Sequence, residues 1–291
     1  MEAIEVFRIE LPAEELDAVS AELHSLGTRG IEERPQPGGR RLELLAYFLA
    51  SAEVLERVHS LASRERAIRV RGPDRVPQAD WEREWRAGLR PRRVGPLWIR
   101  PSWCASPGLP ELLIDPQQAF GSGEHATTRL ALSLLLEALQ PGDRVLDVGS
   151  GSGILALGAL RLGAAGACGL EIDRVACANA RENARRNELS PQLVCGGLDA
   201  LRADVRFEIA AANLLLGELL PCLPRLVRTA SRALVLSGYL EGERARLDGA
   251  LRDSGWQTVR EEVEEQSGDR WCARLLGHAR FLQSSSTSAT V

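Results

Sequence analysis

The stretch RVLDVGSGSGILALGAL, residues 144–160, constrains the fold more than any other part of the chain. It reads as a buried strand that runs into a glycine-rich turn and then into an apolar helix, the opening of a doubly wound parallel sheet. From about residue 125 the pattern alternates between helix and strand, as a parallel-sheet domain does. Strands are expected at 144–148, 167–172, 192–195, 207–212, 232–237, 256–262 and 271–276. The last two follow one another with no helix between them.

The N-terminal part has a different rhythm. IEVFRIE (4–10) alternates like a strand, 13–26 carries apolar residues at helical spacing, and RLELLAYF (41–48) is a second strand. A weak strand near 29–34, a helix at 51–62 and a short strand at 67–71 complete a βαββαβ order, the signature of a small ferredoxin-like α+β unit. Gly72-Pro73 is expected to end it, giving an N-terminal domain of residues 1–73. ADWEREWRAGLRP then predicts a linker helix within 74–91, with Trp81 and Trp85 on one face and Gly88 and Pro91 stopping it. The second domain spans 92–277, and the polar, Ser-rich tail 278–291 is expected to be disordered.

Composition narrows the function. The net charge of −4 weakens any reading as a nucleic-acid binder, so no direct DNA contact is expected. No apolar run approaches the length of a membrane span and the first residues carry no leader pattern, so the chain is expected to be cytoplasmic, and to work as a monomer. Six cysteines form no CxxC pair and four histidines form no HExxH, which argues against disulfides and against a metal centre. All 36 basic residues counted as Lys or Arg are Arg. Codon bias accounts for that more simply than avoidance of self-modification.

The chemistry gathers at four places. Gly149, Gly151 and Gly153 would let a ligand approach the backbone and the following helix pack closely on the strand. Glu171, 22 positions after Gly149 at the end of the next strand, can accept hydrogen bonds from both hydroxyls of a ribose. Dinucleotide enzymes use the same device, but they need GxGxxG facing a pyrophosphate, whereas this turn reads GSGSGI behind an acid, Asp147. A carboxylate there repels phosphate and tolerates a cationic sulfonium. Third, DPQQAFGSGEHATT (115–128) places Phe120, Gly121 and Gly123 before a helix whose first turn holds Thr127 and Thr128. Free amides and a Thr hydroxyl at that helix start suit a carboxylate, although either Thr could serve as a plain cap. Fourth, Asn213 ends the strand FEIAAAN, where ligands of open sheets bind, and it could instead cap the next helix.

Four stretches, DWEREWRAGLRP, DPQQAFGSGEHATT, LDVGSGSGILALGALRLGA and AANLLLGEL, stand in the order found in the ribosomal protein L11 methyltransferases, which the chain resembles to about residue 277. FGSGEHATT is the most specific of them. The resemblance implies a class I methyltransferase domain, whose mostly parallel seven-stranded sheet ends in two successive strands, behind an N-terminal substrate-recognition domain. It implies S-adenosylmethionine as cofactor, held by Thr128, Gly149, Glu171 and Asn213, and amino groups of ribosomal protein L11 as methyl acceptors, on lysine side chains or the N-terminus. Glu171 stands where the family more often has Asp, and Ala126 where Pro or another residue is usual. For chemistry the expectation is an orienting Asn213, with His125 as the one candidate for proton transfer. Two alternatives remain at this stage: the same fold acting on another protein or a small amine, since Leu214-Leu215 replaces the NPPY of glutamine and nucleobase methyltransferases, or a silent cofactor-binding module.

Overall fold

The structure is a computed structural model that describes residues 3–12, 15–36, 41–64, 67–77, 89–115 and 123–278. The chain divides into two compact units, Met1–Leu89 and Arg90–Val291.

In the first unit, β1 (Ala3–Pro12), β2 (Gly30–Pro35), β3 (Arg41–Leu49) and β4 (Arg69–Pro77) form an antiparallel sheet in the order β2-β3-β1-β4. Strand periodicity decides which side is covered. Phe7, Ile9 and Leu11 of β1 and Leu44, Ala46 and Phe48 of β3 enter one core with Val19 and Leu23 of α1 (Leu16–Ser25) and Val58 and Leu61 of α2 (Ala52–Arg64). This is the expected ferredoxin-like arrangement. One boundary moves: β4 does not stop at Gly72-Pro73 but continues to Pro77, with a register shift opposite Val6–Arg8. Proline is tolerated there because β4 is an edge strand with a bulge, so the Gly-Pro pair marks an irregularity and not an end. The expected linker helix, with its two tryptophans, and the Ser-rich tail fall largely or wholly on 78–88 and 279–291, outside the described residues.

The second unit begins with a small sheet of β5 (Arg92–Val94), β6 (Leu97–Arg100) and β7 (Glu111–Leu113). Its main sheet contains β8 (Arg144–Val148), β9 (Gly166–Glu171), β10 (Gln192–Cys195), β11 (Phe207–Asn213), β12 (Ala230–Leu240), β13 (Trp256–Gln266) and β14 (Asp269–His278), in the order β10-β9-β8-β11-β12-β14-β13. Only β14 runs against its neighbours. Helices cover both faces, and alternate residues of the central strands sort between them. Val145, Ile209, Ala211 and Val235 join the core under α3 (Ala126–Ala138) and α4 (Ile154–Arg161). Leu146, Ala210, Ala212 and Leu236 join the other, under α6 (Leu216–Thr229) and α7 (Arg244–Leu251). Each fully buried leucine here is worth about 1.5–3 kcal/mol of transfer free energy. Between β9 and β10 runs α5 (Arg174–Arg186).

No helix of the described residues is long and apolar enough to cross a membrane.

Candidate active site

The site lies at the carboxyl ends of β8, β9, β11 and β12, where the loops leave the sheet. The turn after β8 is tight: the Gly149 and Ser150 amides both donate to the Leu170 carbonyl, at 2.9 and 3.0 Å. Gly149, Gly151 and Gly153 all take the left-handed backbone conformation, with φ of 70°, 51° and 83°. Gly149 and Gly151 face a cleft of about 610 Å3. Gly153 serves packing instead, since a Cβ there would sit 3.3 Å from the Ala180 methyl of α5. Gly123 is likewise tucked against Ile99 and Ile154, while Phe120 and Gly121 lie outside the described residues.

Glu171 sits in the cleft wall. Its Oε2 accepts from the Gly151 amide at 2.9 Å and its Oε1 from the Asp173 amide at 3.0 Å, so the carboxylate is fixed at the edge of the glycine turn. Each oxygen keeps a second lone pair for another donor. Asp147 lies behind this wall, almost wholly buried. Its Oδ2 accepts from the Ala156 amide at 3.1 Å, replacing the side chain that Gly153 lacks as cap of α4. Its Oδ1 is buried without a partner among the described residues. Burial pushes the carboxyl up to about 7; the Ala156 bond opposes the shift and the Glu171 charge adds to it.

The start of α3 differs from expectation. His125 is the cap, with Nδ1 accepting from the Thr127 amide, so neither Thr127 nor Thr128 fills that role. The helix-start amides are not free for a carboxylate either. Ala126 donates to Oε1 of Gln266 at 2.6 Å, and the Thr128 and Arg129 amides donate to the His125 carbonyl. Thr127 engages Nδ1 of His125 twice, through its amide at 3.4 Å and its hydroxyl at 2.8 Å. Burial, then the Arg129 charge, holds the imidazole below its ordinary pKa. Its ring packs edge-on against Trp271, 4.9 Å away between centroids, and both line the cleft.

Asn213 does not cap α6, whose cap residue is Leu215. It reaches across to α3 instead, and Nδ2 donates to the Thr128 hydroxyl at 3.3 Å. That orients the amide group and leaves Oδ1 buried with no partner among the described residues, beside the cleft that Asn213 lines.

Several contributors escaped the sequence reading. Gly196, Gly197 and Leu198 after β10 and the exposed Ile172 complete the far end of the cleft, and Leu214, Gly238 and Trp271 the near end. A GG dipeptide after a short strand was the available signal for the first three. The sequence ANARENARRN also hides a ladder at i, i+4 and i+8. Asn179 donates to the Asp115 carbonyl, Asn183 accepts from the Asp115 amide and donates to the Ser152 carbonyl, and Asn187 bonds both polar groups of Leu113. These side chains hold the chain as it leaves β7 toward FGSGEHATT. At the other end of that segment Arg129 grips the Glu124 carbonyl and Glu264, and Arg92 clasps the Glu124 carboxylate at 2.5 and 2.7 Å.

A sequence profile of the ribosomal protein L11 methyltransferase (PrmA) family matches residues 6–276. The chain belongs to that family. The ribosomal protein L11 methyltransferase of Myxococcus xanthus is 33% identical over 266 residues, covering 85% of this chain and 90% of its own. That of Thermus thermophilus is 33% identical over 264 residues, covering 89% and 95%. The crystal structure of a ribosomal protein L11 methylase from Lactobacillus delbrueckii subsp. bulgaricus superposes with a TM-score of 0.59 at 27% identity, over 65% of this chain and 98% of that one. The chain is thus a methyltransferase, and its cofactor is S-adenosylmethionine.

The site fits that cofactor. Among the described residues, the carboxylates lining the cleft are those of Glu171, Asp173 and Glu218, and none of the lining residues is an arginine. Such a wall suits a ligand with a sulfonium and an ammonium group and disfavours phosphate. Its volume lies within the usual range of about 300–1,000 Å3 for small-molecule sites.

Proposed function

We propose that the protein methylates amino groups of ribosomal protein L11, on lysine side chains, the N-terminus or both, and that Asn213 orients the attacking nitrogen. The observation that carries this reading is the buried Oδ1 of Asn213, without a partner among the described residues, on an amide whose Nδ2 is held by Thr128. An amide oxygen can accept one N–H of a neutral amine and so aim the nitrogen lone pair elsewhere.

S-adenosylmethionine, when bound, supplies a methyl carbon activated by a sulfonium. Glu171 would hold its ribose, with the Gly149–Gly151 turn alongside and Ile172 and Gly196–Leu198 flanking the base. The protein's remaining task is alignment, since displacement at carbon requires nucleophile, methyl and leaving group in line. The amine must also arrive neutral. At pH 7 this costs about 4.6 kcal/mol for a lysine of pKa 10.4 and about 1–1.4 kcal/mol for an α-amine near 7.7–8.0. Displacement of water from the cleft and a positive charge opposite both favour the neutral form. Deprotonation is assigned to solvent before the amine enters, because the His125 nitrogen paired with Thr127 is already engaged. Protein-substrate recognition is assigned to the N-terminal unit, Met1–Leu89, and cofactor binding to the second.

Intact-mass measurement of L11 after incubation with enzyme and labelled cofactor tests the reading. The expected result is one or more added methyl groups on nitrogen, located by peptide mapping. Unmodified L11 in the presence of cofactor-binding enzyme would overturn it.

A further inference from the structure

β11 ends between two glycines. Gly149 follows β8 on one side, and Gly238 lies within β12 on the other, at a register shift between Ser237 and Tyr239. Leu214, the residue after Asn213, fills the space both glycines leave. A Cβ on Gly149 would lie 3.3 Å from Leu214 Cγ and collide with its Cδ2. A Cβ on Gly238 would lie 2.6 Å from the Leu214 carbonyl carbon and 2.9 Å from its nitrogen. The Leu214 amide donates to the Ser237 carbonyl at 3.1 Å, which holds the backbone against Gly238. Leucine is thus held by its backbone on β12 and rests its side chain on the α-carbon of the cofactor turn.

From this we infer that Leu214 is a positioning residue for methyl transfer: a spacer that sets the separation between the Asn213 carboxamide and the Gly149 turn. The inference rests on the reading that Asn213 orients the amine. The side chain of Asn213 is anchored to Thr128, the turn to Leu170, and Leu214 supplies the nearest atoms to the glycine on each side of their junction. Glu171, assigned to the ribose, stands at the end of a different strand from Asn213, so loss of alignment is expected to show in kcat before it shows in cofactor affinity. Trimming Leu214 gives Asn213 and the turn freedom to drift, and a misplacement of about 1 Å can cost about 100-fold in rate.

The experiment is a double-mutant cycle on the full chain. Turnover on L11, KM for L11 and calorimetric affinity for S-adenosylmethionine are measured for wild type, Leu214→Ala, Leu214→Met, Asn213→Ala and the Leu214→Ala/Asn213→Ala double variant. Leu214→Ala is expected to lose about 10–100-fold in kcat with cofactor affinity within about threefold. Leu214→Met, which keeps the reach to Gly149, should recover most of that. In the Asn213→Ala background the further loss from Leu214→Ala should vanish, because the spacer has nothing left to place. Gly238→Ala, pushing on Leu214 from the opposite side, should reproduce the kcat loss in a protein that still binds cofactor. Normal kcat in Leu214→Ala, a loss matched by lost cofactor affinity, or additive losses in the double variant each overturn the inference. If Asn213→Ala itself turns over normally, it is the reading of Asn213 that fails.

Discussion

Asn213 and Thr128, 85 positions apart in sequence, meet side chain to side chain at 3.3 Å. The contact ties the end of the central strand to the first turn of α3 and decides which way the Asn213 oxygen faces. Thr128→Val keeps shape and removes the hydroxyl, leaving the Asn213 amide without its acceptor. The expected outcome is a fall in kcat of about tenfold, since loss of a hydrogen bond of about 1–1.5 kcal/mol frees the carboxamide to rotate. Steady-state kinetics beside a calorimetric titration of cofactor check it. Equal losses in kcat and in affinity would place Thr128 in cofactor binding instead.

Glu171→Ala should weaken cofactor binding at least about tenfold, because charge-assisted hydrogen bonds to ribose contribute about 1.5–3 kcal/mol each. The same change deprives the Gly151 and Asp173 amides of their acceptor. Glu171→Gln keeps an acceptor oxygen and should retain more affinity. Titration calorimetry on folded variants measures both, and unchanged affinity in Glu171→Ala would remove the ribose assignment.

Asp147 gives the cofactor-free protein an unusual pH dependence. Its folded-state pKa is raised from 3.8 to about 7. Between those values the folded chain keeps a proton that the unfolded chain has released, so this group's contribution to stability falls as pH rises through the window and levels off above it. The slope for one proton is at most about 1.36 kcal/mol per pH unit. Asp147→Asn should flatten the decline in urea-unfolding curves recorded from pH 4.5 to 7.5. A cofactor bearing positive charge favours the ionised form, so binding near pH 6.5 should release protons, visible as a buffer-dependent heat.

His125 separates a structural role from a catalytic one. As a cap, its loss in His125→Ala should cost about 0.5–2 kcal/mol of stability. His125→Asn, which can cap equally well, should restore stability and turn over at near the wild-type rate. Were His125 the proton acceptor, both variants would be slow. Its lowered pKa adds a second signature: the unfolded imidazole takes up a proton at higher pH than the folded one, so stability drops as pH falls through about 6.5.

The two units should also part company in function. Residues 90–278 contain the cleft, the Asn ladder and the Arg92–Glu124 clasp. That fragment should fold and bind S-adenosylmethionine with near-normal affinity while failing to methylate L11. Modification at the full rate by the fragment would remove recognition from the N-terminal unit.

Much of this was legible in the residues because glycines with positive φ and an acid at a strand end leave local signatures. GSGSG and Glu171 announce themselves within a single strand-turn-helix unit. What stayed hidden depends on partners remote in sequence. Thr127 and Thr128 look like caps until His125 takes that place, and Asn213 looks like a cap until Leu215 proves to stand at the helix start. The amides of α3 look free until Gln266, 140 positions away, is seen to occupy one. Gly72-Pro73 was misread for a related reason: whether proline ends a strand depends on whether that strand lies at an edge, which only the sheet order reveals.

The placement of β14 between β12 and β13 has a consequence for how the protein is made. β13 is synthesised before β14, yet among the described residues β14 is its sole neighbour in the sheet. Until residue 278 is free, β13 has no edge to join, and Gln266 and Trp271 cannot take up their places at α3. The glycine turn and Glu171 are therefore synthesised well before the strand that supplies Trp271 and completes the cleft.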